Sequence, residues 1–182
     1  LCETHGMEWN IAIPHNIVGP RQCYDDPFRN VMSIMINRVL QGNAPIIYGD
    51  GLQTRCFSNV KDCIQCLEKL ALDPTIVYQT INIGPDEGTI TIKELARLVA
   101  IECGLEVPVI HMPDRPREVK HASCSADKAR KLLNYQTLTV LEKAIQETVA
   151  YVRTKGPKPF DYTYPLEIIS DKTPATWKDR LM

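Results

Sequence analysis

The sequence predicts an α/β fold composed of the last strands of a parallel sheet and a small mixed α/β lobe. Short apolar segments of strand length are interspersed with amphipathic segments of helix length. The strand-like segments are few and irregularly spaced along the 182 residues, as in part of a sheet and not in a complete doubly wound domain. With 44% hydrophobic and 24% charged residues, the chain has the composition of a globular protein with a core of ordinary size.

Five short extended segments are predicted from the sequence. These are residues 9–15, 45–48, 57–60, 77–83 and 107–111. The first leads into a loop over residues 16–27, and the second into the turn signal Gly49-Asp50-Gly51.

Five helices are predicted from the spacing of apolar side chains and from capping residues. They cover residues 30–40, 61–72, about 91–103, 125–133 and 139–154. The inward face of the second is expected to consist of Ile64, Leu67, Leu70 and Ala71. Thr91 and Glu94 form a capping box at the third helix. After residue 156 the sequence has no periodicity, which predicts a surface wrap or a disordered end.

Charge and cysteine content exclude several classes of partner. The net charge of -1 gives no general attraction to nucleic acid or to an anionic membrane, so neither partner is expected. The seven cysteines are odd in number and irregularly spaced, which favours free thiols in a reducing, cytoplasmic compartment. Cys63 and Cys66 form a C-x-x-C without a second ligand pair, so buried thiols are favoured over a redox site and no metal is expected.

Three polar clusters follow predicted strands and carry the candidate chemistry. They are residues 16–22 (NIVGPRQ), 47–55 (IYGDGLQTR) and 113–121 (PDRPREVKH). Taken alone, each is explained as well by an ordinary turn or a solvated charge run. Together they place amides, two arginines and a carboxylate on loops of an α/β fold, where ligands bind. Two arginines suit a diphosphate and a carboxylate suits a ribose diol, so the set fits a nucleoside diphosphate sugar.

In this order the clusters resemble the C-terminal half of the extended short-chain dehydrogenases/reductases that act on nucleotide sugars. The pattern of that family is N-x-x-G-P-R, then Y-G-D-G-x-Q-T-R with F-x-x-V-x-D, then an R-P-G-D-V-like loop before A-D-x-x-K-A. The chain reads N-I-V-G-P-R, Y-G-D-G-L-Q-T-R-C-F-S-N-V-K-D, R-P-R-E-V and S-A-D-K-A-R-K. We therefore expect residues 1–155 to form the nucleotide-sugar-binding half and residues 156–182 a C-terminal tail.

The resemblance implies seven substrate-binding residues. They are Asn16, Asn30, Ile47, Tyr48, Arg55, Arg115 and Glu118. Asn16 would hydrogen-bond the diphosphate or the sugar, and Asn30 would bind phosphate with help from the helix it opens. Arg55 and Arg115 would hold the diphosphate.

The resemblance also implies which residues contact the base and the ribose of the substrate and the nicotinamide of the cofactor. Ile47 and Tyr48 would line the base, and Glu118 would bind the ribose hydroxyls. His15 falls where family members approach the nicotinamide of NAD, although a packed histidine at a strand end explains it equally well. Asp62 is expected to order a loop and the start of a helix.

Four departures from the family pattern leave the substrate open. Ile13 stands where arginine is frequent, and Cys56 where aspartate is common. Glu118 replaces the usual aspartate, and Arg117 the usual glycine.

Two further features of the family are expected upstream of Leu1 and not in this chain. One is the G-x-x-G-x-x-G turn that binds NAD, and the other is the catalytic Tyr-x-x-x-Lys pair. The opening Leu1–Gly6 reads like the end of the helix that carries that pair. We therefore expect the N-terminal dinucleotide-binding part to be missing, no catalytic residue in the chain, and no activity of the chain alone.

The expected function of the full-length enzyme is NAD-dependent epimerisation of a nucleoside diphosphate sugar, with a UDP-sugar favoured, by transient oxidation at C4. The alternatives on the same scaffold are UDP-glucuronate decarboxylation and 4,6-dehydration. A non-catalytic nucleotide-sugar-binding protein is the alternative from another class. The family also implies a homodimer, and an exposed face left by a missing half predicts poor solubility or oligomerisation of the chain alone.

Overall fold

The computed structural model describes residues 1–105 and 108–182, in two compact units. The first unit comprises Leu1–Ile17, Cys56–Thr89 and Ser123–Leu141. The second comprises Val18–Arg55, Ile90–Ala122 and Glu142–Met182. Each unit is built from three separate stretches of chain, so each brings together residues that are distant in sequence.

The described residues form short strands and helices of the α/β type. The strands are β1 (Asn10–Pro14), β2 (Ile17–Val18), β3 (Ile46–Tyr48), β4 (Thr54–Arg55), β5 (Ser58–Asn59), β6 (Gln79–Ile83), β7 (Ile90–Thr91) and β8 (Ile110–Met112). The helices are α1 (Val31–Leu40), α2 (Val60–Leu72), α3 (Ile92–Glu102), α4 (Asp127–Leu133), α5 (Leu141–Lys155) and α6 (Ala175–Lys178). Every predicted helix has its counterpart, while α6 was not predicted. The predicted strand over residues 107–111 starts outside the described residues, and its described part leads into β8.

A parallel strand pair organises the first unit. β1 pairs with β6 from Asn10 opposite Gln79 to Pro14 opposite Ile83. The Asn10 side chain fixes this register, because its Nδ2 donates to Ile76 O at 2.6 Å and its Oδ1 accepts from Gln79 N at 3.1 Å. Helices α2 and α4 pack on the pair and complete the core. The buried residues of this core are Cys63, Cys66, Ile76, Ile81, Ile83, Ala126, Ala129, Leu133 and Tyr135.

The inward face of α2 differs from the predicted one. Cys63 and Cys66 are buried, whereas Ile64 and Leu67 are 54% and 39% exposed and Ala71 is exposed as well. Of the predicted inward residues, Leu70 packs against the core and the other three do not. The reading as buried thiols is confirmed, and burial raises the pKa of the Cys63 thiol to about 11.

Asp62 fixes the start of α2, as the sequence predicted. Its buried carboxylate accepts hydrogen bonds from the backbone amides of Leu138 and Thr139, at 3.1 and 3.2 Å. Since Asp62 precedes Cys63 and lies in the first turn, this anchor directs the cysteine face of the helix inward.

In the second unit, short strand pairs lie beside helices α1 and α3. β3 pairs in parallel with β8, and β4 pairs antiparallel with β7. The predicted capping box is present at α3, because the Thr91 hydroxyl accepts from Glu94 N at 3.1 Å. α1 is buried on nearly all sides, with every residue from Met32 to Val39 buried.

The C-terminal tail covers polar side chains of α1. Asn37 donates to Lys158 O at 2.8 Å and accepts from Lys158 N at 3.0 Å. Arg38 donates from Nη1 to Leu181 O at 2.9 Å, and burial lowers the pKa of its guanidinium. Of the two expectations for the tail, a surface wrap is the one observed. Among the described residues, none of the helices has the length and apolar character needed to cross a membrane.

Candidate functional site

The loops after β3 and β8 approach each other closely in the second unit. The register places Tyr48 opposite Met112, and Gly49 N donates to Met112 O at 2.9 Å. Gly49 has a φ of +61°, and a β-carbon there would overlap the carboxylate of Asp114. Glycine is favoured at this turn because it adopts a positive φ without the strain that a side chain adds. Because β3 and β8 run parallel, both loops leave the same edge of the pair, the edge at which α/β folds bind ligands.

Strand β4 joins the second polar cluster to the third. Thr54 N donates to Lys120 O at 2.8 Å, and Ala122 N donates to Thr54 O at 3.2 Å. These bonds fix the stretch that follows the charged loop alongside β4. As a result, Arg55 and Glu118, 63 residues apart in sequence, meet in space.

Glu118 lies between two arginines at this junction. Its Oε1 accepts a hydrogen bond from Arg55 Nη2 at 2.5 Å, and its Oε2 lies 3.6 Å from Arg115 Nε. The side chains of Arg55 and Glu118 are only 17% and 15% exposed. One carboxylate faces two guanidinium groups, so the cluster retains an excess positive charge. Such a cluster is suited to bind an anion with several oxygens, because guanidinium groups form paired hydrogen bonds to phosphate.

The Arg115 guanidinium also contacts two aromatic rings. Its Cζ lies 5.4 Å from the centre of the Tyr48 ring and 5.2 Å from that of the Trp177 ring. Tyr48 is itself held by Thr176, whose Oγ1 lies 2.7 Å from the phenol oxygen and whose amide donates to that oxygen at 3.1 Å. Thr176 and Trp177 were not predicted as site residues, because a lone tryptophan in an aperiodic tail is a weak signal.

Asn30 and Ile47 lie in the same unit, in positions that limit their chemistry. Asn30 is the N-cap of α1, and its Oδ1 accepts from Met32 N at 3.0 Å. It thus stands at a helix N-terminus, where anions are favoured. Ile47 is 1% exposed, with its side chain against Gly51, so a ligand would reach its backbone and not its side chain.

Asn16 belongs to the first unit and is tied to the backbone there. Its Nδ2 donates to Cys56 O at 2.8 Å, and its carbonyl oxygen accepts from Ser58 N at 3.1 Å. With a φ of 44°, Asn16 adopts the left-handed conformation that asparagine tolerates better than most residues.

His15 is packed at the carboxyl end of β1, also in the first unit. Its Nε2 lies 3.2 Å from Pro85 O, and its Nδ1 lies 3.2 Å from Cys124 Sγ. A carbonyl only accepts, so in the neutral ring Nε2 carries the proton and Nδ1 accepts from the thiol. Burial, followed by the nearby Asp86 carboxylate, raises the pKa of the Cys124 thiol. A β-carbon on Gly84 would overlap the His15 ring, so this packing depends on glycine at that position.

The sequence model of the family described as GDP-mannose 4,6 dehydratase matches residues 1–148. The chain belongs to this family of extended short-chain dehydrogenases/reductases. The family resemblance drawn from the three polar clusters is confirmed. Two solved structures with the same fold, UDP-glucuronic acid 4-epimerase from Bacillus cereus and UDP-glucose 4-epimerase from Thermus thermophilus, were determined in complex with NAD.

The chain is similar to curated epimerases and to curated decarboxylases. It is 34% identical over 145 residues to UDP-glucuronic acid decarboxylase 6 of Arabidopsis thaliana, covering 78% of this chain and 40% of the relative. It is 31% identical over 155 residues to UDP-glucose 4-epimerase of Mycolicibacterium smegmatis, covering 84% and 48%. The chain therefore spans about half the length, or less, of the curated relatives it matches.

A solved epimerase shows the same fold. The structure of UDP-glucose 4-epimerase from Thermotoga maritima with UDP-glucose has a TM-score of 0.75 and 26% identity, covering 85% of this chain and 48% of that one. This agreement confirms the predicted α/β fold as the C-terminal part of an extended short-chain dehydrogenase/reductase.

The residues present fit one edge of a dinucleotide site. His15 lies at the carboxyl end of a parallel strand, the side of the sheet on which this fold binds its cofactor. A G-x-x-G-x-x-G turn for the pyrophosphate does not occur in the sequence.

The expectation that the chain contains no Tyr-x-x-x-Lys spacing is wrong. Tyr151 and Lys155 have this spacing on α5. The Tyr151 ring packs edge-on against Tyr24 at 6.4 Å, and the Tyr24 hydroxyl donates to Gly156 O at 3.0 Å. These contacts indicate that Tyr151 anchors the end of α5, a structural role.

Proposed function

We propose that the full-length enzyme epimerises a nucleoside diphosphate sugar, with a UDP-sugar favoured, and that this chain is its nucleotide-sugar-binding half. The observation that carries the proposal is the position of Glu118 between Arg55 and Arg115. Because two guanidinium groups share one carboxylate, they keep a net positive charge and N–H donors that a diphosphate can bind.

The roles of the individual residues follow from their donors and acceptors. Arg55 and Arg115 would donate to oxygens of the diphosphate, and the helix that Asn30 caps would add backbone N–H groups. Glu118 has two oxygens and would accept from the ribose hydroxyls. Tyr48 would flank the base. For Asn16, which belongs to the first unit, a contact with the sugar or the diphosphate stays a prediction from the family resemblance.

When bound, NAD would supply the hydride-accepting and hydride-donating chemistry that transient oxidation at C4 of the sugar needs. His15 is the residue of this chain that we place beside the cofactor. The glycine-rich turn and the catalytic tyrosine would come from the other half of a full-length enzyme. For that reason the 182-residue chain alone is expected to show no turnover.

Decarboxylation of UDP-glucuronate is the second candidate. It is favoured by the 34% identity to a UDP-glucuronic acid decarboxylase, against 31% for the epimerase. Product analysis of the full-length enzyme with UDP-glucose, UDP-N-acetylglucosamine and UDP-glucuronate separates the two. If UDP-glucuronate releases carbon dioxide and neither of the other two substrates gives an epimer, the enzyme is a decarboxylase and the proposal of epimerisation fails.

Substrate binding is tested by titrating UDP into the 182-residue chain in a calorimeter. Arg55→Ala or Arg115→Ala should each weaken binding by roughly 10- to 100-fold, since a hydrogen bond to a charged group contributes about 1.5–3 kcal/mol. Arg97→Ala is the matched control, because Arg97 pairs with Glu94 on the exposed surface of the same unit. Equal affinity in all three variants would exclude a diphosphate site at Glu118.

Assembly and location are also proposals. All seven cysteines are free, which supports a reducing, cytoplasmic compartment. Ile11 and Ile13 of β1 are 49% and 45% exposed on a two-stranded parallel pair, whereas parallel sheets are normally covered on both faces. These side chains support the packing of further sheet and helices against the first unit. A homodimer of the full-length enzyme is tested by its mass in solution.

A further inference from the structure

We infer that residues 174–182 form a wall of the nucleotide-sugar site and that Trp177 positions Arg115 for the diphosphate. This inference rests on the proposed function and adds a residue that the family resemblance did not supply. The family's sequence model ends at residue 148, so Thr176 and Trp177 lie beyond the part of the chain that it matches.

The tail is held firmly where it meets the site. Thr176 is 1% exposed and contacts the Tyr48 hydroxyl through both its side chain and its backbone amide. The indole of Trp177 donates to Pro27 O at 3.2 Å, and its ring packs edge-on against Phe28 at 5.4 Å. Trp177 is thus anchored on one side by the loop before α1, while its ring contacts Arg115.

The Arg115 guanidinium lies over the faces of two aromatic rings. A cation–π contact arises from the charge above the ring and uses none of the five N–H donors of the guanidinium. Tyr48 and Trp177 lie at similar distances from Cζ, 5.4 and 5.2 Å, so the two rings together restrict the plane of the group. A pre-oriented guanidinium loses less rotational freedom when it binds an oxyanion.

The Glu118 contact alone would hold Arg115 less firmly. The Arg115 Nε lies 3.6 Å from Glu118 Oε2, which is long for a hydrogen bond, and the side chain is 35% exposed. An arginine with this exposure has many rotamers unless other contacts restrict it. The rings of Tyr48 and Trp177 supply those contacts, and Trp177 comes from the tail.

The experiment is UDP titration calorimetry on the complete 182-residue chain and its variants. Trp177→Ala and Trp177→Leu should each raise the Kd for UDP by roughly three- to tenfold, the range of a partly exposed cation–π contact. Trp177→Phe keeps an aromatic face and should bind within about twofold of the unaltered chain. Trp177→Leu keeps apolar bulk and keeps the test valid if the alanine variant does not fold.

A double-mutant cycle separates positioning from general loosening of the site. In an Arg115→Ala background, Trp177→Leu should weaken UDP binding no further. Additive losses, or a Trp177→Leu variant that binds as tightly as the unaltered chain, would overturn the role of Trp177 while leaving the proposed function standing. If the unaltered chain and the Arg115→Ala variant are equally unable to bind UDP, the proposed function itself fails.

Discussion

Replacing Glu118 by glutamine tests whether the carboxylate neutralises a cluster of arginines. Removing one partner of a buried ion pair costs about 3–5 kcal/mol. The Glu118 and Arg55 side chains are 15% and 17% exposed, not fully buried, and the glutamine oxygen can still accept from Arg55. We therefore expect Glu118→Gln to lower the free energy of unfolding by about 2 kcal/mol. Urea denaturation at fixed ionic strength measures this value.

A second measurement uses inorganic pyrophosphate, which has the phosphates of the ligand but no ribose. Because the diphosphate would supply the lost negative charge, it should stabilise Glu118→Gln more than the unaltered chain. Glu94→Gln is the control, since Glu94 and Arg97 form an exposed pair whose loss should cost under about 1 kcal/mol. Equal destabilisation by the two glutamine variants would refute the reasoning, as would equal stabilisation of the variant and the unaltered chain by pyrophosphate.

Three further substitutions test interactions that stabilise the fold. Asp62→Ala should lower the free energy of unfolding in urea by about 2–4 kcal/mol, because two backbone amides lose their buried acceptor, whereas the exposed Asp171→Ala should change it little. Arg117→Gly should raise the free energy of unfolding by about 0.5 kcal/mol. The φ of 58° strains arginine, and this strain exceeds the entropic cost of the greater freedom of glycine in the unfolded chain. A lower melting temperature of the variant would contradict this. The Arg130 guanidinium lowers the pKa of Asp86 from 3.8, so this pair stabilises the fold above that pH and is lost as the pH falls below it. The difference in the free energy of unfolding between Asp86→Asn and the unaltered chain should therefore become smaller in acid. A difference that does not change with pH would show that ionisation of Asp86 does not stabilise the fold.

Local capping chemistry made several elements predictable from the sequence. Asn30 and Thr91 bond to amides of the helices they precede, and the predicted and observed helices start within two residues of each other. Such interactions involve near neighbours in the chain and can therefore be read without knowledge of tertiary packing.

Features that depend on tertiary packing were not predictable in this way. Periodicity placed Ile64 and Leu67 inside because they are the larger apolar residues of α2, but the core accepts the smaller Cys63 and Cys66 at close range. Likewise, the polar side chain of Asn37 on α1 is covered by Lys158, which lies 121 residues further along the chain.

The candidate site shows the same division. The two arginines were expected to share a ligand, and both lie at Glu118. The contribution of Trp177 depends on a return of the chain across more than 60 residues from Arg115, for which the aperiodic tail gave no signal.

The exposed middle of the tail has a practical consequence for handling the protein. Tyr164 and Ile168 are about 80% exposed, whereas the stretches on either side are bonded to α1 and to β3. A protease would cut such a segment first. The released peptide would stay attached through Thr176 and Trp177, so a clipped sample would show two bands on a denaturing gel while eluting as one species under native conditions.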